Sequence, residues 1–114
     1  MVSQRQQLGA DGEARVARHY EARGYGVLDR NWRCREGELD LVLRHGRTLV
    51  VCEVKTRSSA AFGTPAEAVT EKKQATLRLL ARRYLETAPF RPREIRFDVA
   101  AVLAGEIDII ENAF

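Results

Sequence analysis

Gly37-Glu38-Leu39-Asp40-Leu41-Val42-Leu43 and Leu49-Val50-Val51-Cys52-Glu53-Val54-Lys55 are two apolar runs that each carry charge where a core strand should not. Leu39, Leu41 and Leu43 alternate with Asp40, Val42 and Arg44. His45-Gly46 separates the runs, so they read as antiparallel strands joined by a tight turn. Strand side chains alternate faces, which sets Glu53 and Lys55 on one face. A three-residue turn within Arg44 to Arg47 would set Asp40 opposite Glu53. A two-residue turn would set it opposite Val51, one diagonal step away. Both registers leave Asp40, Glu53 and Lys55 on a common face. Two carboxylates about 5 Å apart repel by roughly 3 kcal/mol at an effective dielectric near 20. A shared proton, the Lys55 ammonium or a divalent cation must offset that cost. A salt-bridged edge hairpin is the plainer alternative.

Working outward, Ser3 to Arg23 reads as a first helix, with Gly24 as its C′ residue. Gly9 and Gly12 weaken its start, so its well-formed part is expected from Ala10 or Asp11. Val16, Ala17 and Tyr20 form the apolar stripe. Glu13 stands four residues before Ala17 and seven before Tyr20, so this acid lies along the same stripe. The alternative is a first-turn Glu that faces solvent and favours the helix dipole. Tyr25 to Trp32 reads as the first strand. Arg30, Arg33 and Arg35 cluster ahead of the Glu36-Gly37 turn, and Arg44, Arg47 and Arg57 add to a basic first half. Arginine forks suit phosphate oxygens, although surface arginines are commonly a solvated rim. Trp32 is either a base-stacking platform or a core or rim aromatic.

Small residues, Gly63 and Pro65 mark residues 56–69 as a loop, placed where a flap over a substrate would sit or where a plain connector would serve. Thr70 is a candidate N-cap of a second helix with Glu71 in its first turn. Leu77, Leu80, Ala81 and Tyr84 form its stripe. Lys73 extends that stripe to the helix start, where a cation opposes the dipole and calls for an anion, unless its stem snorkels past the core edge. Pro89 and Pro92 end the region. Glu94 to Leu103 alternates Ile95, Phe97, Val99, Ala101 and Leu103 on one face, and Ile107 to Ile110 is a short last strand after a turn near Ala104-Gly105-Glu106. The order is helix, three-strand meander, helix, strand, short strand. A parallel, right-handed crossover through the second helix gives a mixed α/β sheet flanked by helices, as a single domain over 1–114.

Composition sets the frame. The chain has 114 residues, 45% of them hydrophobic, enough for one core. Its net charge of +3 and pI of about 9.2 lean mildly towards an anionic partner. Cys34 and Cys52 lack CxxC spacing and sit in different elements, so neither a disulfide framework nor a zinc site is expected. Cys52 points away from Glu53 and reads as a buried thiol. His19 and His45 have no ligand or triad spacing. The polar N-terminus carries no secretory signal and the chain no membrane span, so a cytoplasmic location is expected.

Glu13, Asp40, Glu53, Lys55, Lys73 and Gln74 are therefore the groups that the fold could gather. Hard oxygen donors suit Mg2+ or Mn2+ rather than zinc. Asp40, Glu53 and a main-chain carbonyl could hold such an ion at a phosphodiester, with Lys55 positioning water or neutralising developing charge.

Asp40, twelve intervening residues and Glu53-Val54-Lys55 resemble the PD-(D/E)XK nuclease signature, although Glu38-Leu39 stands where the proline of that name would be. The longer string is more specific. Gly12-Glu13, Arg30-Asn31-Trp32-Arg33, Gly37-Glu38-Leu39-Asp40-Leu41, Glu53-Val54-Lys55-Thr56-Arg57, Lys73-Gln74, Arg96-Phe97-Asp98-Val99 and Ala113-Phe114 resemble the YraN-like bacterial family. That family is related in fold to archaeal Holliday-junction resolvases. The resemblance implies a restriction-endonuclease-like αβββαβ core. It implies Asp40 and Glu53 as metal ligands, with the Val54 carbonyl, and Lys55 as the catalytic lysine. Glu13 matches an auxiliary acid, and Lys73 and Gln74 match a second-helix polar pair. The expected activity is a Mg2+- or Mn2+-dependent endonuclease acting on structured, branched or flapped DNA, with Arg33 and Arg57 on phosphates. DNA is favoured over RNA, and a homodimer follows by analogy with the resolvases. Two other readings stand beside it. One is a nucleic-acid-binding module of nuclease ancestry that works with a partner. The other is an assembly partner in a DNA- or RNA-processing complex, using a sheet edge or the 56–69 loop.

Overall fold

Period-2 alternation, Gly24 and the proline pair punctuate the described residues into seven elements. The computed structural model describes residues 4–57 and 69–114. In order they are α1 (Gln4–Glu21), β1 (Gly26–Cys34), β2 (Gly37–His45), β3 (Thr48–Arg57), α2 (Glu71–Thr87), β4 (Glu94–Leu103) and β5 (Glu106–Ile110). The expected order holds. The expected flap falls mostly on 58–68, outside the described residues, as does Ser3. One sheet runs β1-β2-β3-β4-β5, antiparallel except for the parallel β3–β4 pair that α2 connects. This is a mixed α/β fold with the αβββαβ core. Among the described residues no helix is long and apolar enough to cross a membrane.

Each helix covers one face of the sheet. Val16, Ala17 and Tyr20 of α1 pack with Leu41, Leu43, Val50, Cys52, Ala100 and Val102. Leu77, Leu80, Ala81 and Tyr84 of α2 pack with Leu39, Val42, Leu49, Val51, Phe97 and Val99. Trp32 joins this second layer edge-on to Tyr84, ring centroids 5.3 Å apart, as a core aromatic.

The local signals mostly work as their chemistry dictates. Gly24 (φ +87) ends α1 in a Schellman arrangement, with Tyr25 N donating to Tyr20 O and Gly24 N to Glu21 O. Thr70 caps α2, its side chain accepting from Lys73 N at 3.2 Å. Ala104 and Gly105 (φ +51 and +82) form the two-residue β4–β5 turn, both with the positive φ of a type I′ hairpin.

Three readings need correction. First, α1 begins by Gln4, not at Ala10, and Gly12 is less a weakness than a requirement. A Cβ there would overlap Thr56 Oγ1 on β3, so glycine lets the helix lie close against the strand. Gly12→Ala should lower the unfolding free energy by about 1–3 kcal/mol through overpacking. Urea denaturation measures this, and adding Thr56→Ala should recover most of the loss.

Second, the β2–β3 turn has two residues but lies one position later than expected, and that displacement alone moves the partner of Asp40 from Val51 to Glu53, with no three-residue turn needed. His45 pairs with Thr48, so the turn is Gly46-Arg47 rather than His45-Gly46. Gly46 (φ +60) takes the first central position, where a type II′ turn places glycine. Continued along the strands, this register brings Asp40 opposite Glu53.

Third, Leu39 does not share a face with Leu41 and Leu43. Leu39 packs under α2 and the other two under α1. The alternation slips at Asp40. Across β1, Arg30 pairs with Leu41 and Trp32 with Leu39, which leaves Asn31 facing Asp40, and Asn31 has φ +50. A left-handed residue in one strand twists the local pleat, and Asn tolerates that conformation better than most residues.

The outer strands are β1 and β5. β1 shifts register between Val27 and Asp29. β5 carries exposed Glu106 and Asp108.

Candidate active site

The slip at Asp40 decides how the site is built. The β2–β3 pairing recorded from His45↔Thr48 runs to Leu41↔Cys52. Beyond it the Asp40 carboxylate takes the place of a ladder acceptor, with Val54 N donating to Asp40 Oδ2 at 2.9 Å. Asp40 therefore sits between the strands, within electrostatic reach of both helices. Glu53, on the α2 face with Val51, is buried. Lys55 Nζ lies 3.6 Å from Glu53 Oε1, and Lys73 Nζ approaches the same oxygen at 3.9 Å. Lys73 thus has the anion that its place at a helix start calls for.

Burial and crowding set the electrostatics. Burial, then the Asp40 charge, pushes the Glu53 carboxyl up to about 6, against the pull of Lys73 and Lys55. Burial likewise raises Asp40, helped by Glu38 and opposed by the Val54 N–H, Lys55 and Lys73. From α1, Glu13 is raised by burial and then by Asp40 and Glu38, while the Asn31 amide and the Arg30 charge favour its ionised form. Three carboxyls thus have raised proton affinity, with Glu13 and Glu53 each feeling the Asp40 charge, and two ammonium groups only partly offset them.

The other expected residues are more dispersed. Gln74 Nε2 donates to Val69 O at 3.1 Å, which fixes the chain as it enters α2. Arg33 is exposed at the rim and ion-paired to Glu38 at 3.1 Å. Arg57 lines a separate pocket beside Thr56 and Gly12. Two contributors escaped the sequence reading. Asn31 hydrogen-bonds Glu13, and Glu38 adds charge near both Asp40 and Glu13. A polar residue suited to positive φ, directly across from Asp40, was the available signal for Asn31.

The donor set is all oxygen. Among the described residues no three carboxylate, imidazole or thiolate side chains converge as a ready metal cage. A divalent ion at Asp40 and Glu53 would draw its remaining ligands from main-chain oxygen and water. Magnesium is commonly held in that way, by one or two carboxylates with several retained waters. The unrelieved repulsion between the acids gives such an ion a reason to bind.

The family model described as "Uncharacterised protein family UPF0102" matches residues 12–102, which contain all of these groups. A UPF0102 protein of Frankia alni is 58% identical over 95 residues, covering 83% of this chain and 79% of its own. One from a Nocardioides species is 54% identical over 99 residues, covering 87% and 80%. One from Rhodococcus opacus is 45% identical over 112 residues, covering 94% and 95%.

Proposed function

The chain belongs to the uncharacterised family UPF0102, and from the chemistry of its site we propose that it is a metal-dependent endonuclease that hydrolyses phosphodiester bonds in structured, branched or flapped DNA. The observation that carries this reading is the meeting of Asp40, Glu53, Lys55 and Lys73, with Glu13 brought in from α1. A purely structural hairpin has no use for a third acid that raises the cost of the first two.

Asp40, Glu53 and the Val54 carbonyl would hold Mg2+ or Mn2+, with Glu13 as auxiliary ligand. That ion would neutralise charge on the phosphodiester and lower the pKa of water. Lys55 Nζ, 3.6 Å from Glu53 Oε1, would orient the attacking water or offset charge on the pentavalent phosphorus. Lys73 approaches the same Glu53 oxygen from α2 and would supply a second cation to the phosphate. The Val54 N–H keeps Asp40 pointed into the gap between β2 and β3.

The deciding experiment is cleavage of a panel in Mg2+ or Mn2+: four-way junction, flap, single strand, duplex and structured RNA, with Asp40→Ala beside the native protein. Cleavage of the junction or flap that disappears in Asp40→Ala supports the reading. Equal cleavage by both proteins overturns it. The lysines that already close on Glu53 favour a second reading, a nucleic-acid-binding module of nuclease ancestry acting with a partner. Tight, salt-dependent binding without cleavage would favour that reading.

A further inference from the structure

A groove of about 440 Å³ runs between α2 and β4, outside the acid cluster. Ile95 and Phe97 of β4 form its floor, and Ala75, Arg78 and Arg82 of α2 its wall. Ile95 is 36% exposed. Arg78 and Arg82 are about one helical turn apart and both are exposed. The Arg78 guanidinium lies 5.9 Å from the Phe97 ring and 5.3 Å from the Phe114 ring, and the two rings stack on each other. Among the described residues neither arginine has a carboxylate partner, and no acid lines the groove. Arg83, on the flank of α2 that faces the β1–β2 turn, is by contrast paired with Glu36 and Glu86. The groove thus sets two uncompensated positive charges beside an apolar, aromatic floor.

Its course ties it to the candidate site. Lys73, beside Glu53, precedes Arg78 by five residues and Arg82 by nine, about 7.5 and 13.5 Å along the helix. On β4, Val99 pairs with Glu53, and Phe97 and Ile95 stand two and four residues before it, about 7 and 13 Å along the strand. Wall and floor therefore leave the site together. A positive groove with stacking surfaces suits an unpaired nucleic-acid strand. Cations track its backbone, and a base stacks on the outer face of a guanidinium that already rests on rings. We propose that the α2–β4 groove holds the single-stranded arm of a flapped or branched DNA, with its phosphates beside Arg78 and Arg82 and a base against Ile95 and the Arg78 plane. The proposal rests on the nucleic-acid reading above and assigns a preference for unpaired arms to this surface. An acidic protein segment would also match the charge, but it has no use for a groove that opens onto Lys73 and Glu53.

The test compares binding of a flap DNA with that of the same duplex lacking the single-stranded arm, by fluorescence anisotropy over a salt series in metal-free buffer. The native protein should bind the flap about tenfold more tightly, the worth of one stacked base. Arg78→Gln combined with Arg82→Gln should remove that preference and lower the flap's slope of log affinity against log salt by about 1.4, at about 0.7 per single-strand phosphate. Ile95→Ser should weaken the preference and keep the slope. Arg83→Gln, a removal of charge on the opposite flank, should keep the preference. A double variant with native preference and slope overturns the groove. If that variant also loses affinity for polyglutamate that the native protein binds, the occupant is an acidic protein segment instead. Loss of the preference in Arg83→Gln overturns the groove as well, because net charge then accounts for it. Native protein that binds flap and duplex equally overturns the groove alone. Native protein with no salt-dependent binding to either DNA overturns both the groove and the nucleic-acid reading.

Discussion

Glu53→Gln should make the protein more stable at pH 8 and abolish the cleavage proposed above. The carboxyl is 8% exposed and its pKa is pushed from 4.5 to about 6 by burial and by Asp40. The folded state therefore holds this proton more tightly than the unfolded chain does. Stability from Glu53 is fully present below about pH 4.5 and is lost as pH rises through about 6. At pH 8 the ionised Glu53 costs about 2 kcal/mol relative to a neutral group, at 1.36 kcal/mol per pKa unit. Glutamine keeps the shape and removes the charge. Unfolding curves at pH 8 should shift towards greater stability by up to that amount, and curves at pH 4 should nearly coincide. Lys55 and Lys73 lose a partner in the variant, but they are partly exposed and solvent screens them. A loss of stability at pH 8 would mean that the two lysines outweigh the repulsion, and that the acid is there for the fold. A gain in stability with a loss of cleavage is the signature of a site that stores repulsion for use.

Asp98→Ala should have the opposite outcome, a loss of about 3–5 kcal/mol, from stranding a largely buried arginine. Asp98 is fully buried on the α1 face, beside Cys52 in the β3–β4 register. Its two oxygens are saturated. Arg96 Nε and Nη2 donate at 2.9 Å, Tyr20 OH at 2.7 Å and Asn112 N at 3.0 Å. Arg96 also reaches Tyr25 OH at 2.9 Å. This one carboxylate ties α1, the start of β1, β4 and the C-terminal residues together. Among the described residues no buried side-chain polar atom lacks a partner, so the network is complete and losing this carboxylate takes an acceptor from each of its three donor groups, Arg96, Tyr20 and Asn112 N. A domain whose total stability is about 5–15 kcal/mol cannot lose this much and remain robustly folded. Urea denaturation of Asp98→Ala measures the loss. Asp98→Ala with Arg96→Met should recover part of it, because the damage is the stranded cation more than the missing bond. A loss below 1 kcal/mol would sink this account.

The contrast between the two carboxylates shows what a sequence carries and what it does not. Element order was readable because each signal is local: Gly24 after an apolar stripe, Thr70 three residues before the amide it caps, period-2 alternation in β4. Lys73 was readable as a cation in want of an anion, and its neighbour proved to be Glu53. The face change at Asp40 was not readable, because its cause is the backbone of Asn31 on the adjoining strand. Gly12 looked like a helix weakness because the reason for it, Thr56, lies more than forty residues away. Asp98 and Arg96 stood in plain view as an i, i+2 charged pair within an apolar strand. The partners that make them a network, Tyr20 and Asn112, come from opposite ends of the chain. Turn position failed by one residue because Gly46 can serve as either central residue of a two-residue loop, and only the positive φ at its first position decides.

The two outer strands have a further consequence. β1 is kinked by its register shift and by Asn31, and β5 presents Glu106 and Asp108 to solvent. A kinked margin offers an interrupted row of amides and carbonyls. An acidic margin repels a copy of itself, since symmetric antiparallel pairing centred on Asp108 would set one Asp108 against the other. Each is a recognised means by which a sheet declines to recruit another strand. The molecule is therefore built to resist edge-to-edge growth of its sheet at high concentration.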